Sequence, residues 1–307
     1  MGIATHEEAP IAPVPGDGEA PWRRFAAQFM ESPLALVGLG LLVLLALAAL
    51  LAPWIAPQNP YDLAQLDVLD SRLAPGAASL SGRIYWLGTD DQGRDMLSAI
   101  LYGLRISLMV GLASTLAAVA IGLVLGLAGA YVGGWVDTVI MRIADIQLSF
   151  PAILIALILL AALGQGVGKI IVALVTVQWA YYARTVRSAA LVERRREYVE
   201  AARVLALPEW RIVFRHILPN CLPPLIVVAT VQVAHAISLE ATLSFLGLGL
   251  PITEPSLGLL IANGFQYMLS GKYWISFYPG IALLVTIMAI NLVADQLRDV
   301  LNPRLTR

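Results

Sequence analysis

Charged residues and cysteine are both scarce in this sequence. Only 13% of the 307 residues are charged and the formal net charge is −1, so nothing indicates a general attraction to nucleic acid. The single cysteine, Cys221, excludes a disulfide within the chain and does not indicate a redox compartment. Hydrophobic residues are abundant instead: they make up 59% of the chain, lie in long runs and raise the mean hydropathy to +0.77. This composition is typical of a polytopic membrane protein.

Motifs that would bind phosphate or a metal ion are also missing. The stretch 164–169 resembles a phosphate loop at first sight, but Leu163 stands where that motif needs glycine and Ile170 where it needs Ser or Thr. The aspartates between 90 and 95 lack the alternation and the glycine of a calcium-binding EF-hand loop. We therefore expect no metal site, no bound cofactor and no catalytic residue, which is typical of a transport subunit and not of an enzyme.

The hydrophobic runs predict an all-α fold with six transmembrane helices. The predicted spans cover residues 34–52, 106–136, 146–168, 170–183, 219–245 and 279–294. The helix within 106–136 ends in a turn over 131–141, and Pro151 can kink the third span. The fourth span has only 14 uncharged residues, so it crosses a membrane only if Lys169 snorkels and the helix continues into the charged segment that follows.

Composition divides the chain into three regions. Residues 1–30 combine a disordered cytoplasmic tail, poor in groups to bury, with an interfacial anchor around Trp22. Residues 31–97 hold the first transmembrane helix and an extracytoplasmic loop, and this first apolar run lacks a cleavage site, so it is a retained span. Residues 98–302 hold the other five helices.

Two local patterns predict how helices pack. Small residues recur every four positions along the second span, which favours the close approach of another helix. They are Ser114, Ala118, Gly122, Gly126 and Ala130. Arg142 and Asp145 are three residues apart at the start of the third span, a spacing that favours an ion pair.

The most charged segment, residues 193–220, lies between the fourth and fifth spans. It carries six arginines and four glutamates, so it is expected to meet water or a partner on the cytoplasmic side. The sequence predicts a short helix over 198–207, a bend at Leu207-Pro208, and a second short helix that Pro219 ends. The apolar face of the second helix is formed by Trp210, Val213, Phe214 and Ile217.

This segment resembles a loop of a known transporter family. Glu200-Ala201-Ala202, followed by Ile217-Leu218-Pro219, is similar to the EAA loop of binding-protein-dependent ABC importer permeases. In that family the loop forms coupling helices that sit in a groove of the ATPase subunit. The family usually has glycine at the position of Ala206, where a left-handed bend is needed, so Leu207-Pro208 is expected to supply the turn here. An amphipathic hairpin at the membrane surface with no partner is the competing interpretation.

The resemblance implies a set of coupling residues. They are Glu200, Ala201, Ala202, Ala206, Ile217, Leu218 and Pro219. Ala201 and Ala202 would give a flat contact surface, and Glu200 a charge that pairs with the partner or caps the short helix.

A second set of motifs strongly resembles the dipeptide, oligopeptide and nickel branch of the same family, and specifically its C-type subunit. The motifs are Gly88-Thr89-Asp90, Gly93-Arg94-Asp95 and the run 103–107, and Leu243–Gly249 also fits. The resemblance implies the transmembrane domain of a type I ABC importer in a bacterial inner membrane. It also implies four kinds of partner: a second homologous permease, two ABC ATPase subunits that bind ATP and Mg²⁺, an extracytoplasmic substrate-binding protein and the lipid bilayer.

The expected function is therefore import of di- or oligopeptides, with this chain forming half of the translocation path. Members of the branch also carry nickel, glutathione and other small solutes, so these remain alternatives. A secondary transporter is less favoured, because it would need internal repeats or a proton relay, and neither is evident.

Polar residues inside the predicted spans are candidates for the translocation path. They are Gln178, His235, Glu240 and Asn291. The alternative is that such residues brace neighbouring helices, and the sequence does not decide between the two. Both termini, the 131–141 turn and the charged segment are placed in the cytoplasm, with Arg184 and Arg187 counted in that segment. This puts 14 of the 20 Lys and Arg residues inside and six outside, which favours that orientation.

Overall fold

The computed structural model describes residues 21–62, 65–79 and 82–301. Within these ranges the chain forms eleven α-helices and one small antiparallel sheet. The predicted tail over residues 1–20 and the side chain of Trp22 lie outside the described part. The fold is helical as predicted, and the sheet is the one departure that the described residues show from an all-α architecture.

The first region contains two helices and a folded loop. Helix α1 spans Pro21–Met30 and α2 spans Pro33–Ile55, with the Ser32 hydroxyl accepting a hydrogen bond from the Ala35 N–H at 3.3 Å as its N-cap. The first loop, residues 56–95, follows. It contains a 3-10 turn at Val68–Asp70 and strands β1 (Ala77–Ala78) and β2 (Ile84–Tyr85), which pair antiparallel.

Helix α3 spans Met96–Val132 and is the longest helix of the described chain. Asp95 is its N-cap, accepting a hydrogen bond from the Ser98 N–H at 2.8 Å. At 1.5 Å per residue the helix is about 56 Å long, well beyond a hydrocarbon core of about 30 Å. One helix therefore reaches from the first loop to the opposite end of the bundle.

The third predicted span is broken. Helices α4 (Gly134–Leu148) and α5 (Ala152–Leu163) meet at an angle of 92°. Pro151 lacks an N–H and cannot extend α4, so the chain turns there instead of bending gently. The predicted turn over 131–141 was wrong, because the chain reverses at Gly133 (φ +69°) and α4 begins at the next residue.

Helix α6 spans Val167–Glu193 and packs along α3. It follows Gly166, whose N–H donates to the carbonyl of Gly249 at 3.2 Å. A Cβ atom at Gly122 would lie 2.4 Å from the Cβ of Tyr182. Only glycine permits this approach, which confirms the predicted packing role of the small-residue stripe.

The charged segment leads into the last helices. Helices α7 (Glu197–Val204) and α8 (Glu209–Ile212) are short, and a π-helical turn at Val213–Ile217 joins α8 to α9 (Leu218–Phe245). The prediction that Pro219 ends a helix was wrong. Pro219 is the second residue of α9 and follows the π-helical turn directly, so the helical run from Glu209 to Phe245 continues through it. A local π-helical adjustment can accommodate a proline within such a run. The chain ends with α10 (Leu257–Phe265), a 3-10 turn at Met268–Ser270 and α11 (Trp274–Leu301).

Among the described residues, four continuous helical stretches are long and apolar enough to cross a membrane: α2, α3, the run from α8 through α9, and α11. The bent α4–α5 pair adds a fifth if it counts as one span. Helix α6 is absent from this set, and with Lys169, Arg184 and Arg187 in it, it is the most polar of the predicted spans. The described chain is thus a polytopic membrane protein, and the predicted count of six spans is not confirmed by length and apolarity.

Contacts between helix ends define two ends of the bundle. The loop end is the one where the charged segment, residues 193–220, lies, and the far end is the one where the first loop lies. At the loop end, Gln296 of α11 donates to the carbonyl of Gln28 in α1 at 3.1 Å, and Arg194 donates to the carbonyl of Ala130 in α3 at 2.9 Å. The ends of α1, α3, α6 and α11 and the charged segment therefore lie together.

The far end is held by the first loop. The N–H of Asp95 donates to Gln58 Oε1 at 2.6 Å, which joins the start of α3 to the chain leaving α2. The indole N–H of Trp274 donates to the carbonyl of Thr89 at 3.2 Å, which adds the start of α11.

Candidate functional site

The charged loop, residues 193–220, has an inner face packed against the helix bundle. Its buried side chains are Val199, Ala202, Ile212 and Ile217, which meet Ala130, Ala190 and Cys221 of the neighbouring helices. Ala202 is only 4% exposed. The predicted contact surface of two alanines was therefore wrong for Ala202, because its neighbours in the fold already cover it.

The opposite face of the charged loop is exposed and apolar. The exposed patch consists of Val204, Leu205, Trp210 and Phe214, whose exposed fractions are 86%, 74%, 67% and 61%. Of the predicted coupling residues, Glu200, Ala201 and Pro219 are exposed, and Leu218 is half-buried. The predicted apolar face 210–217 divides in two, since Trp210 and Phe214 point away from the bundle and Ile217 points into it.

Ala206 makes the bend between α7 and α8. Its φ is +53°, so the left-handed turn that was predicted for Leu207-Pro208 occurs at Ala206 itself. The N–H of Ala206 donates to the Arg203 carbonyl at 2.9 Å and that of Leu207 to the Ala202 carbonyl at 3.1 Å. These two bonds form the Schellman motif, which ends many helices and places the residue after the cap in the left-handed region.

Tyr198 links the beginning of the charged loop to its end through two side-chain hydrogen bonds. Its hydroxyl donates to the Glu193 carboxylate and accepts from Asn220 Nδ2 at 3.1 Å. Burial and the neighbouring carboxylate raise the pKa of Tyr198 to about 12. The phenol is therefore protonated at neutral pH and keeps donating to Glu193.

A polar cavity of about 350 Å³ lies between α5, α6 and α9. Its polar lining is Gln178, Tyr181, Gln232, His235, Ser238 and Thr242. Two of the four predicted path residues, Gln178 and His235, therefore line the same cavity. The polar residues contributed by α9 lie at 232, 235, 238 and 242, a helical spacing that could have revealed the other members from sequence.

The other two predicted path residues lie elsewhere. Glu240 is fully buried, and its carboxylate accepts from Ser107 Oγ at 3.0 Å and Ser244 Oγ at 2.8 Å. It braces α9 against α3, which is the alternative that the sequence left open. Asn291 is exposed on α11 and does not line the polar cavity.

A larger open cavity of about 1160 Å³ lies at the loop end. It is bounded by α6, α9, the end of α11 and the charged loop, through residues that include Arg184, Ser188, Arg196, Asn220 and Arg298. The side chain of Arg184 is also bonded to Asp145 of α4. The predicted pairing of Asp145 with Arg142 was therefore wrong, because the fold offers the carboxylate a partner on a facing helix.

The first loop is held by buried polar contacts. Arg94 and Asp90 form an ion pair at 2.6 Å in which both side chains are almost fully buried. Asp70 accepts hydrogen bonds from Ser79 Oγ at 2.6 Å and from Tyr85 OH at 2.9 Å, and burial together with this carboxylate raises the pKa of Tyr85 to about 12. The motif residues 88–95 thus anchor a folded loop. No group of three or more His, Cys, Asp or Glu side chains suited to a metal occurs in the described ranges.

Comparison with known proteins identifies the family. The model of the binding-protein-dependent transport system inner membrane component matches residues 118–307, and that of the N-terminal transmembrane domain of oligopeptide transport permease C matches residues 20–75. A putative peptide transport system permease protein of Brucella suis is 41% identical over 95% of both chains. The di/tripeptide transport system permease protein of Pseudomonas aeruginosa is 37% identical over 93% of both chains.

Two further matches bear on the range of relatives and on the fold. The glutathione transport system permease protein of Pectobacterium atrosepticum is 38% identical over 93% of this chain and 92% of its own. An inward-facing structure of the MetNI methionine ABC transporter matches with a TM-score of 0.55 at 21% identity, covering 67% of this chain and 98% of the matched chain. Since one family model covers more than half of the sequence and full-length relatives exceed 30% identity, the chain belongs to the family of inner membrane components of binding-protein-dependent transport systems.

Proposed function

We propose that this chain is the C-type permease subunit of an ATP-driven importer of di- or oligopeptides. The observation that carries the proposal is the exposed patch on the charged loop. Four large apolar side chains exposed on a segment rich in arginine and glutamate mark an interaction surface, and the resemblance to the EAA loop favours a protein partner over the membrane surface. The site matches the EAA loop in sequence, and its partner in this proposal is an ABC ATPase subunit.

The assembly contains this chain, a second homologous permease, two ATPase subunits and an extracytoplasmic substrate-binding protein. ATP and Mg²⁺ bind to the ATPase subunits, and this chain binds no cofactor and hydrolyses nothing itself. Closure of the ATPase dimer would draw the charged loops of the two permeases together. Helices fixed to those loops would then open the path at one side of the membrane and close it at the other.

The chain crosses the membrane six times in this proposal. The contacts at the two ends support this count, because α2, α3 and α11 are joined to the first loop at the far end. Gly166, between α5 and α6, is bonded to Gly249 after α9, and Arg94 of the first loop donates to the nearby Ile252 carbonyl, so α5, α6 and α9 also reach the far end. Helix α6, with 27 residues, is about 40 Å long and therefore long enough to span. Both termini, like the charged loop, are then cytoplasmic.

The polar cavity is proposed as this subunit's share of the translocation path. Its polar lining consists of amide, hydroxyl and imidazole groups and contains no carboxylate, lysine or arginine. Such groups can donate to and accept from peptide backbone amides without selecting a particular side-chain charge. Relatives named for peptides and for glutathione are similarly close to this chain, so glutathione is the second candidate substrate.

Reconstitution tests the function directly. The chain would be purified with the partner subunits and binding protein of its importer, and placed in vesicles that contain ATP and Mg²⁺. We expect uptake of labelled dialanine that requires ATP and persists when the proton gradient is collapsed. Competition with glutathione and Ni²⁺ would rank the alternatives, and uptake driven by a proton gradient without ATP would refute the proposal.

The docking role of the charged loop has its own test. Trp210→Ala removes a large apolar anchor and is expected to weaken ATPase binding by about 2 kcal/mol or more, as at other interface hot spots. Ala201→Trp overpacks the same surface at a cost of about 1–3 kcal/mol, and Glu200→Lys reverses a charge that helps to fix the register. Co-purification of the ATPase and substrate uptake are measured for each variant.

Trp54 gives a matched control. It is 77% exposed on α2 near the far end, so Trp54→Ala deletes the same side chain far from the charged loop. We expect this variant to retain its ATPase. Normal assembly and uptake in all three loop variants would show that the loop is not the coupling element.

A further inference from the structure

Arg194 joins the charged loop to the end of α3. It is the first residue after α6, and its guanidinium Nη1 donates to the carbonyl of Ala130 at 2.9 Å and to that of Tyr131 at 3.2 Å. The guanidinium carbon also lies 5.5 Å from the centroid of the Tyr131 ring, within the range of a cation–π contact. Arg194 therefore holds α3 through two hydrogen bonds and one ring contact.

The bonded carbonyls are ones that the helix leaves free. Because α3 ends at Val132, the carbonyls of Ala130 and Tyr131 belong to its last turn and have no N–H partner within the helix. The negative end of the helix dipole favours a cation at this position. Arg194 is thus a C-terminal cap for α3 supplied by a residue more than sixty positions away in sequence.

Other contacts at this joint leave little freedom between the loop and α3. Ala130 packs against Val199 and Ala202, so the inner face of α7 rests on the same last turn. Arg187 of α6 binds the Asp137 carboxylate through both Nε and Nη2, the latter at 2.6 Å, and fixes the start of α4 beside it. Arg194 stands between these two contacts in the chain, three residues before α7 begins.

Helix α3 also reaches the far end without a break. Its N-cap Asp95 is bonded to Gln58 of the first loop. Ser107, which lies in the third of α3 farthest from the loop end, is bonded to Glu240 of α9. A displacement applied to its last turn is therefore carried through one rigid helix to the first loop and α9.

From this geometry we infer that Arg194 is a positioning residue for energy coupling, which makes α3 follow the charged loop during the transport cycle. The inference rests on the proposed function and adds a role that the loop's docking surface does not supply. Without the Arg194 contacts the loop can still bind its ATPase and move with it. The movement then reaches α3 incompletely, and ATP is hydrolysed without transport.

The test measures uptake and ATP hydrolysis in the same vesicles. Complexes carrying Arg194→Gln, Arg194→Lys or Arg195→Gln are reconstituted with the binding protein, and the probe is whichever of labelled dialanine, glutathione and Ni²⁺ the wild-type complex takes up. For Arg194→Gln we expect about a tenfold rise in ATP hydrolysed per molecule imported, which is within the range of typical coupling between sites. The amount of co-purified ATPase should be unchanged.

Two matched variants separate coupling from general damage. Arg194→Lys keeps the charge and a hydrogen-bond donor. In this variant the number of ATP molecules hydrolysed per molecule imported should return most of the way to the wild-type value. Arg195→Gln removes the same charge from the exposed neighbouring position and should leave the ratio at its wild-type value. A ratio that is unchanged in Arg194→Gln, or a parallel loss of uptake and hydrolysis, would overturn the inference.

If Arg194→Gln assembles poorly, the same measurement is made on Tyr131→Leu, which removes the aromatic ring and leaves the arginine in place. A raised ratio in that variant supports the inference, and a wild-type ratio refutes it. A wild-type complex that imports none of the three probes with ATP refutes both this inference and the proposed function. ATP-driven import with a wild-type ratio in every variant refutes the inference alone.

Discussion

Ala206 shows how a single residue can fulfil a backbone role usually given to glycine. The Schellman bonds at the end of α7 require a left-handed residue, and Ala206 adopts a φ of +53° there. For a residue with a Cβ atom this conformation costs about 1–2 kcal/mol. Packing of Ala202, Ile212 and Ile217 against the bundle offsets that cost.

Replacing Ala206 by glycine should therefore stabilise the isolated chain. We expect Ala206→Gly to raise the free energy of unfolding of the charged loop by about 0.5–1 kcal/mol, and Ala206→Val to lower it. Amide hydrogen exchange in the loop measures both. Ala201→Gly is the control, and it should lower the free energy of unfolding of the loop. Ala201 lies inside α7, where glycine costs about 0.5–1 kcal/mol. Faster exchange in Ala206→Gly would contradict the argument.

Tyr85 supports the first loop through a hydrogen bond to Asp70. Since the acceptor is a buried carboxylate, Tyr85→Phe should cost about 1.5–3 kcal/mol, detected as faster cleavage of the first loop in limited proteolysis at pH 8. Tyr273→Phe is the control, because Tyr273 is half exposed at the same end of the bundle. Equal cleavage of the wild type and Tyr85→Phe would contradict the prediction.

The same contact predicts a dependence on pH. The pKa of Tyr85 is raised to about 12, above the value of about 10 expected in the unfolded chain. A raised pKa favours the folded state while the phenol is protonated. The contribution is therefore complete below about pH 10 and is lost as the pH rises towards 12. The protease resistance of the wild type should fall in that window, and that of Tyr85→Phe should change less.

At the scale of elements, the contact between α3 and α6 depends on glycine. A Cβ atom at Gly122 would lie 2.4 Å from Tyr182 Cβ and 2.8 Å from the Trp179 carbonyl, whereas one at Gly40 in α2 would meet nothing within 4 Å. The two sites differ in what they face and not in helical conformation.

Gly122→Ala should therefore destabilise the chain by about 1–3 kcal/mol through overpacking. Gly40→Ala should be neutral or stabilising by up to about 1 kcal/mol, because alanine favours a helix over glycine. Thermal unfolding of the purified chain in detergent compares the two variants. An equal melting temperature for both would show that the stripe does not form the close contact.

The broken third span marks a limit of prediction by element. Pro151 was expected to kink one helix, and it separates two helices that meet at 92° instead. Either outcome is compatible with proline, because neighbouring groups decide whether the freed carbonyls are satisfied. Here Gln147, next to the break, donates to the Val177 carbonyl at 3.0 Å and accepts from Trp179 Nε1 at 2.7 Å. These bonds to α6 fix the direction of α4, which therefore differs from that of α5.

At the scale of the whole molecule, α1 and the end of α11 lie at the same end of the bundle. This arrangement predicts which side of the membrane each segment faces. In a Cys221→Ser background, cysteines at positions 5 and 305 should react with a membrane-impermeant reagent only after the cell is opened. A cysteine replacing Val68, which is 79% exposed in the first loop, should react in intact cells. The reason is the proposed count of six crossings together with the bias of 14 to 6 in positive residues. Labelling of either terminus in intact cells would contradict this topology.

The sequence by itself determined the class, the approximate places of the long apolar helices and the family. Long apolar runs indicate membrane helices, so they revealed the class of protein. The motifs at 88–95 and 200–219 consist of residues close together in the chain, so the family could be inferred without the fold. Only the tertiary structure decided which residues act together. Gln178 and His235 share a cavity while Glu240 is bonded to serines, Ala202 faces inward while Trp210 faces outward, and Arg194 caps a helix more than sixty residues before it. These outcomes depend on how helices from distant parts of the chain pack, which periodicity along one helix does not specify.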